Sequence, residues 1–240
     1  MIDQRQHHLL RVTQETAATT ILAELALPPA PGLVVLNGGT ADLEAPLAAK
    51  LRRILQDGLA RVVTELGLLS ITGGTDAGIF QLFGQGLAQW GDHTPCVGVA
   101  VTPLVTWPGR PDLPTRAEAT LEPHHSHYVL VAGSRWGDET ATMYALVAQL
   151  SEVMPMVTVF AGGGNITIEE MLMNVRQERT MILLAGSGRA TDQVLAARAG
   201  AAVDDERLAQ VAAQGRITPF ALDDDPAAFM GLVRELLGLS

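Results

Sequence analysis

Intrachain disulfide chemistry is closed to this chain: Cys96 is its single cysteine, and a lone thiol fits a reducing compartment. Long apolar runs are missing too. No uninterrupted stretch reaches the roughly 18 residues that a bilayer-spanning helix needs. The opening residues, Met1, Ile2, Asp3, Gln4, Arg5, Gln6, His7 and His8, carry no apolar core after a basic start, so no secretory leader is expected. Charge is sparse at 18%, and the basic sign is the scarcer one: 16 Lys and Arg stand against 26 Asp and Glu, a formal net charge of −10. That balance, with a pI near 5.0, argues against a nucleic-acid backbone or an anionic membrane as the main partner. A cytoplasmic protein follows by elimination. What remains is a chain of 240 residues, 48% hydrophobic, with 24 glycines, which is ample for one large core. A mean hydropathy of +0.22 leaves room for surfaces buried between subunits, so a homo-oligomer is an open expectation.

Along the chain, short apolar runs alternate with helical patterns. Residues 1–30 read as a helical extension, with Leu9, Leu10, Val12, Ile21, Leu22 and Leu25 spaced for one face and Pro28, Pro29 and Pro31 ending it. Strands are expected at 33–36, 68–71, 96–101, 127–131, 156–160 and 181–184, with a possible last one at 216–222. Helices are expected at 45–66, closed by Gly67, then at 79–90 and 138–152, after Gly164, and after Gly188. A final helix follows Pro226, and residues 201–240 form a largely helical end to the chain. Residues 102–123 form a proline-rich loop without periodicity. Continuous apolar strands alternating with amphipathic helices predict an α/β, Rossmann-like, doubly wound and mainly parallel sheet with helices on both faces, in one domain.

Glycine turns follow four of the strands: Gly38-Gly39-Thr40, Gly73-Gly74-Thr75 with Gly78, Gly162-Gly163-Gly164-Asn165, and Gly186-Ser187-Gly188. Glycine lets the backbone approach a ligand, and free amides with the helix dipole favour an anion. One such turn reads equally as a tight connection. Four, all at the carboxyl edge where a doubly wound sheet binds ligands, are better explained by one phosphate-bearing guest in a shared crevice. Arg189 opens the last helix, where a cation opposes the dipole unless an anion is bound, so it is a candidate phosphate ligand, with a surface salt bridge as the alternative. None of the turns is a Walker A sequence or a full GxGxxG, which weakens ATPase and dehydrogenase readings.

Four segments in order carry a likeness: Thr72-Gly73-Gly74-Thr75-Asp76-Ala77-Gly78, Leu121-Glu122-Pro123-His124-His125-Ser126-His127-Tyr128, Gly162-Gly163-Gly164-Asn165 and Gly186-Ser187-Gly188-Arg189-Ala190. Across about residues 33 to 200 the chain resembles the SLOG domain, the cytosolic N-terminal homology region of TRPM cation channels, in its stand-alone prokaryotic form. The resemblance implies a ligand-binding module that requires no cofactor and takes a nucleotide-derived ligand such as ADP-ribose. Its glycine turns and arginine carry over to Gly73, Gly74, Thr75, Gly186, Ser187, Gly188 and Arg189. SLOG domains are also related to the LOG-type nucleotide phosphoribohydrolases, whose Gly-Gly-x-Gly-Thr-x-x-Glu motif, laid from Gly162 through Asn165 and Ile166, puts the working glutamate at Glu169. Arg135 is a candidate for the arginine those enzymes use, and Met143 stands where the channels tend to carry one.

Other groups admit two uses. Glu169, as a general acid/base, would serve N-ribosyl hydrolysis; the alternative is a carboxylate that suits a helix's first turn. Glu139 near a helix start would bind ribose hydroxyls or favour the dipole. Of His124, His125 and His127, one is expected to bond the ligand or its covering loop, His127 being the choice, and no metal is expected. Trp107 and Trp136 can stack on a base or pack.

Overall fold

The computed structural model describes residues 8–40, 43–91, 94–111 and 117–239. Residues 1–7 of the expected N-terminal helix and 112–116 of the proline-rich loop lie outside the described residues.

Strand β2 (Leu33–Gly38) runs through the middle of the molecule, and its side chains alternate between two apolar layers. Leu33 and Val35 join Ile21, Tyr144 and Val147, while Val34 and Leu36 join Ile54, Phe83 and Phe229. Alternate residues of a strand point to opposite faces, so a run apolar at every position must be covered on both. Among the described residues the sheet has eight strands. Their order is β1 (His8–Val12), β7 (His127–Val131), β4 (Cys96–Val101), β3 (Leu69–Thr72), β2, β8 (Met156–Ala161), β9 (Thr180–Ala185) and β10 (Arg216–Ala221). Every neighbouring pair is parallel.

One face carries α2 (Ala45–Arg52), a π-spaced segment (Arg53–Ala60) and α3 (Arg61–Leu66), then α4 (Gly78–Trp90) and α9 (Pro226–Leu237). The other carries α1 (Ala18–Leu25), α5 (Thr140–Ser151), α6 (Asn165–Arg176), α7 (Arg189–Arg198) and α8 (Glu206–Gln214). This is the Rossmann-like doubly wound fold that the strand and helix pattern predicts. The chain leaves β2 toward β3 on one side and leaves β8 toward β9 on the other, so the topological switch lies between β2 and β8.

The first thirty residues depart from expectation. Helix is confined to α1, and Leu9, Leu10 and Val12 lie in β1, paired with Tyr128, Val129 and Val131 at the edge of the sheet. Five residues are too few to separate the two periodicities, and the open edge of β7, which decides the matter, exists only after folding. The proline-rich loop is not structureless either. It holds a 3-10 turn (Thr102–Leu104) and a two-stranded ribbon of β5 (Val105–Thr106) and β6 (Ala119–Thr120). Arg110 stiffens it by donating to the carbonyls of Thr102 and Val105 and lying over the Trp107 ring.

Candidate ligand-binding crevice

The four glycine turns all reach the carboxyl edge, but they do not share one cleft. The segment Gly38-Gly39-Thr40 runs between two hollows. The first, of about 300 Å³, is lined by Gly38, Thr40, Gly73, Thr75, Phe80, Glu118, Trp136, Glu139, Thr167 and Glu170. The second, of about 220 Å³, is lined by Gly39, Gly162, Gly163, Ser187, Gly188 and Arg189 with Leu43, Glu44, apolar residues of α2 and Ile79. Gly164 and Asn165 line a third, outer hollow beside α8, which Gly163 and Arg189 also touch.

Several of the glycines meet protein rather than an open hollow. A Cβ on Gly38 would overlap the Ala161 carbonyl, and Gly74, at φ +70°, packs on the Cα of Gly98. Gly78 abuts Gly39 and Thr40, and Ile79 N–H donates to the Gly39 carbonyl at 3.3 Å. Gly186 spends its amide on Asp192 Oδ1 at 2.8 Å, and Gly188 spends its own on Asp192 Oδ2 at 2.8 Å. Ser187 Oγ accepts from Gly162 N at 2.8 Å and donates to the Leu184 carbonyl, tying the β9 turn to the β8 turn. Arg189 takes a left-handed φ of +53° at the start of α7 and makes no ion pair among the described residues.

The carboxylates are arranged differently from the expectation. Glu169 points away from the crevice and is 47% exposed, with Arg207 Nη1 at 2.8 Å, while Arg207 also holds Asn165 and Asp205. Glu170 is the residue that faces the first hollow, 7% exposed. Adjacent helical residues point about 100° apart, so only one of the two can look into the crevice, and Thr167 shares its face at i, i+3 with Glu170. Starting the glycine-rich motif one residue later, at Gly163, puts Thr167 and Glu170 on its threonine and glutamate positions, with Ile166 where a glycine is usual.

Burial raises the Glu170 carboxyl well above the ordinary 4.5, and the Glu139 charge raises it further. Glu139 is raised by burial, more than the Gly137 amide at 2.7 Å lowers it. The first hollow therefore holds two carboxyls that resist ionising together. Beneath them lies a polar floor that the sequence pattern did not single out. Tyr144 Oη accepts from Asn37 Nδ2 and Asn174 Nδ2, each at 2.8 Å. Asn174 also donates to the Glu170 carbonyl and accepts from Thr158 Oγ1. Asn37 in an otherwise apolar strand was the one visible sign of it.

The remaining candidates lie elsewhere. His127 begins β7, so it sits at the amino edge, stacked on His8 with ring centroids 5.5 Å apart. Burial and then the neighbouring His8 lower its pKa. His125 turns inward, its Nδ1 on Glu122 at 2.6 Å and its Nε2 on Thr72 Oγ1 at 2.7 Å. Burial opposes its charge, yet Cys96 and the Glu122 carboxylate prevail and raise it to about 10. Trp136 lines the first hollow and donates to Glu118 at 2.7 Å, whereas Trp107 lies between Arg11 and Arg110. Arg135 is exposed beside Asp138, and Met143 is buried in the core.

These features define a doubly wound α/β domain whose candidate site is the switch-point crevice of a parallel sheet. The chain belongs to the family described as SLOG in TRPM, prokaryote, whose model matches residues 31–230. It is similar to a transient receptor potential cation channel subfamily M member-like 2 from Nematostella vectensis, 25% identical over 231 residues. Subfamily M member 2 from Mus musculus is 22% identical over 231 residues, and a transient receptor potential channel from Caenorhabditis elegans 26% over 189. The alignments take in 80%, 80% and 67% of this chain but only 15%, 15% and 9% of those channels. Among the described residues no helix is long and apolar enough to cross a membrane.

Proposed function

We propose that the switch-point crevice binds a phosphate-bearing, nucleotide-derived ligand, ADP-ribose or an NAD-related compound. The observation that carries this reading is the pair of hollows on either side of Gly38-Gly39-Thr40, one lined by the buried Glu170 and by Glu139, the other by Arg189 with the exposed Glu44 at its edge. Ribose hydroxyls suit Glu139 and Glu170, and Trp136 offers a face to a base. A diphosphate suits Arg189, whose guanidinium is free of any ion pair among the described residues and can pair two phosphate oxygens. Calorimetry with ADP-ribose, NAD and nucleoside monophosphates tests the reading. Saturable binding that weakens at least tenfold in Arg189→Ala, about 1.4 kcal/mol, is expected. No binding across the panel would refute it.

A second reading, cleavage of an N-ribosyl bond, is favoured by one observation, the raised Glu170 carboxyl. A protonated acid in the hollow would give its proton to the departing base as the C1′–N bond breaks, the bonding electrons staying on the base nitrogen. Water would add its oxygen to C1′ and return its proton to the carboxyl pair. Free base released from nucleotides, measured by chromatography and absent in Glu170→Gln, separates this reading from simple binding.

A further inference from the structure

At the other end of α6 from the crevice, the chain buries a positive charge that it does not neutralise. Helix α6 closes with Glu178 in a left-handed conformation, φ +52°. The Glu178 amide donates to the Val175 carbonyl at 3.0 Å and the Arg179 amide to the Asn174 carbonyl at 2.9 Å. This paired closure usually carries glycine at the left-handed position. It turns the chain sharply back and places Arg179 beneath α5, at the entrance to β9.

Arg179 is 8% exposed, and its Nη1 is buried with no hydrogen-bond partner among the described residues. Its nearest aromatic contact is the Tyr144 ring, 5.9 Å from the guanidinium carbon. No carboxylate faces it: burial lowers its pKa and Tyr144 alone opposes that. The neighbouring Glu178 is engaged with Arg216 at 2.6 Å. Beside Arg179 lies a cavity of about 190 Å³, lined by Tyr144, Met173, Arg176, Gln177 and Arg179. Arg176 likewise makes no ion pair among the described residues. Two arginines without counter-ions on one cavity stand out in a chain of net charge −10. An unpaired buried guanidinium is destabilising relative to one in water, and an anion with two or three acceptor oxygens would offset that.

We propose that this cavity is a second anion site, separate from the crevice, which takes a phosphate between Arg179 and Arg176, with Gln177 at the rim. Inorganic phosphate and a nucleotide phosphomonoester share the necessary chemistry. The cavity is open to solvent through the exposed Arg176 and Gln177, so either can enter. The site is independent of the function proposed for the crevice.

The test is calorimetric titration of inorganic phosphate, and separately AMP, into the wild-type protein, Arg189→Ala, and Arg189→Ala combined with Arg179→Met or Arg176→Met. Methionine keeps an apolar stem over Tyr144 and removes the charge. With the crevice contribution removed by Arg189→Ala, phosphate binding should persist, and it should weaken at least tenfold when Arg179→Met or Arg176→Met is added to that background. Phosphate binding without AMP binding at this site would identify the free ion as the ligand, and binding of both would identify the monoester as well. Should Arg179→Met fail to fold, Arg176→Met at the exposed rim carries the measurement. Equal phosphate affinity in Arg189→Ala with and without either methionine substitution would overturn the proposal. So would a phosphate-soaked crystal with only water against Arg179 Nη1.

Discussion

Asp192 accepts the Gly188 amide at 2.8 Å, so the amino terminus of α7 already holds an anion supplied by its own chain. The same carboxylate accepts the Gly186 amide, and the Gly-Ser-Gly turn that looks like a phosphate cradle is thereby self-satisfied. A phosphate at this turn meets Arg189 first and those amides only if Asp192 moves. Asp192→Ala should cost about 1–2 kcal/mol of stability, as for a lost helix cap. It should also tighten phosphate binding several-fold by freeing the amides. Chemical unfolding and calorimetry measure the two effects, and an unchanged midpoint would show that the contact contributes nothing.

Glu169 and Glu170 are neighbours with different surroundings, which makes them a clean comparison. Glu170→Gln should lower ligand affinity, or turnover if present, at least tenfold, because it removes an ionisable group from the crevice. Glu169→Gln should change either by less than twofold, since its carboxylate pairs with Arg207 at the surface and such pairs are worth about 0–1 kcal/mol. Equal losses in both variants would count against Glu170 as the residue at the site.

Glu139 and Glu170 also set a pH dependence. Both have folded-state pKa values raised above the ordinary 4.5, so their neutral forms favour the fold. Their contribution is complete below that value and is lost as pH rises through the raised values. Wild-type thermal stability should therefore fall as pH rises above 4.5, and Glu170→Gln should flatten that fall. A Glu170→Gln profile parallel to wild type would contradict the arrangement.

Gly84 lies inside α4, where glycine is otherwise unfavourable. A Cβ there would overlap the Glu122 carboxyl, which is buried on His125. Gly84→Ala should therefore destabilise by about 1–3 kcal/mol despite alanine's better helix propensity. Denaturant unfolding checks the sign, and a stabilised variant would mean that Glu122 moves aside at little cost.

The layering of the fold was legible in the chain because its signals are local. Wholly apolar runs such as Val34-Val35-Leu36 and Val97 to Val101 force burial on both faces, and glycines and prolines punctuate them. Edge strand β1 was not legible, because its five residues become a strand only against β7.

The crevice divides along the same line. Turn glycines announce the carboxyl edge of the sheet, and residue types alone place Glu139 near it. Which of two adjacent glutamates faces inward depends on the rotation of α6, set by Asn174 on Tyr144 and Thr158. That His127 lies at the amino edge, and that Asp192 fills the turn before α7, follow from strand direction and a loop contact. By itself the sequence determined the layers, their order of burial and the edge where a ligand would sit, since these follow from periodicity and turn chemistry. Only the tertiary structure decided which side chains meet there, because helix rotation and strand pairing are properties of packing between segments distant in the chain.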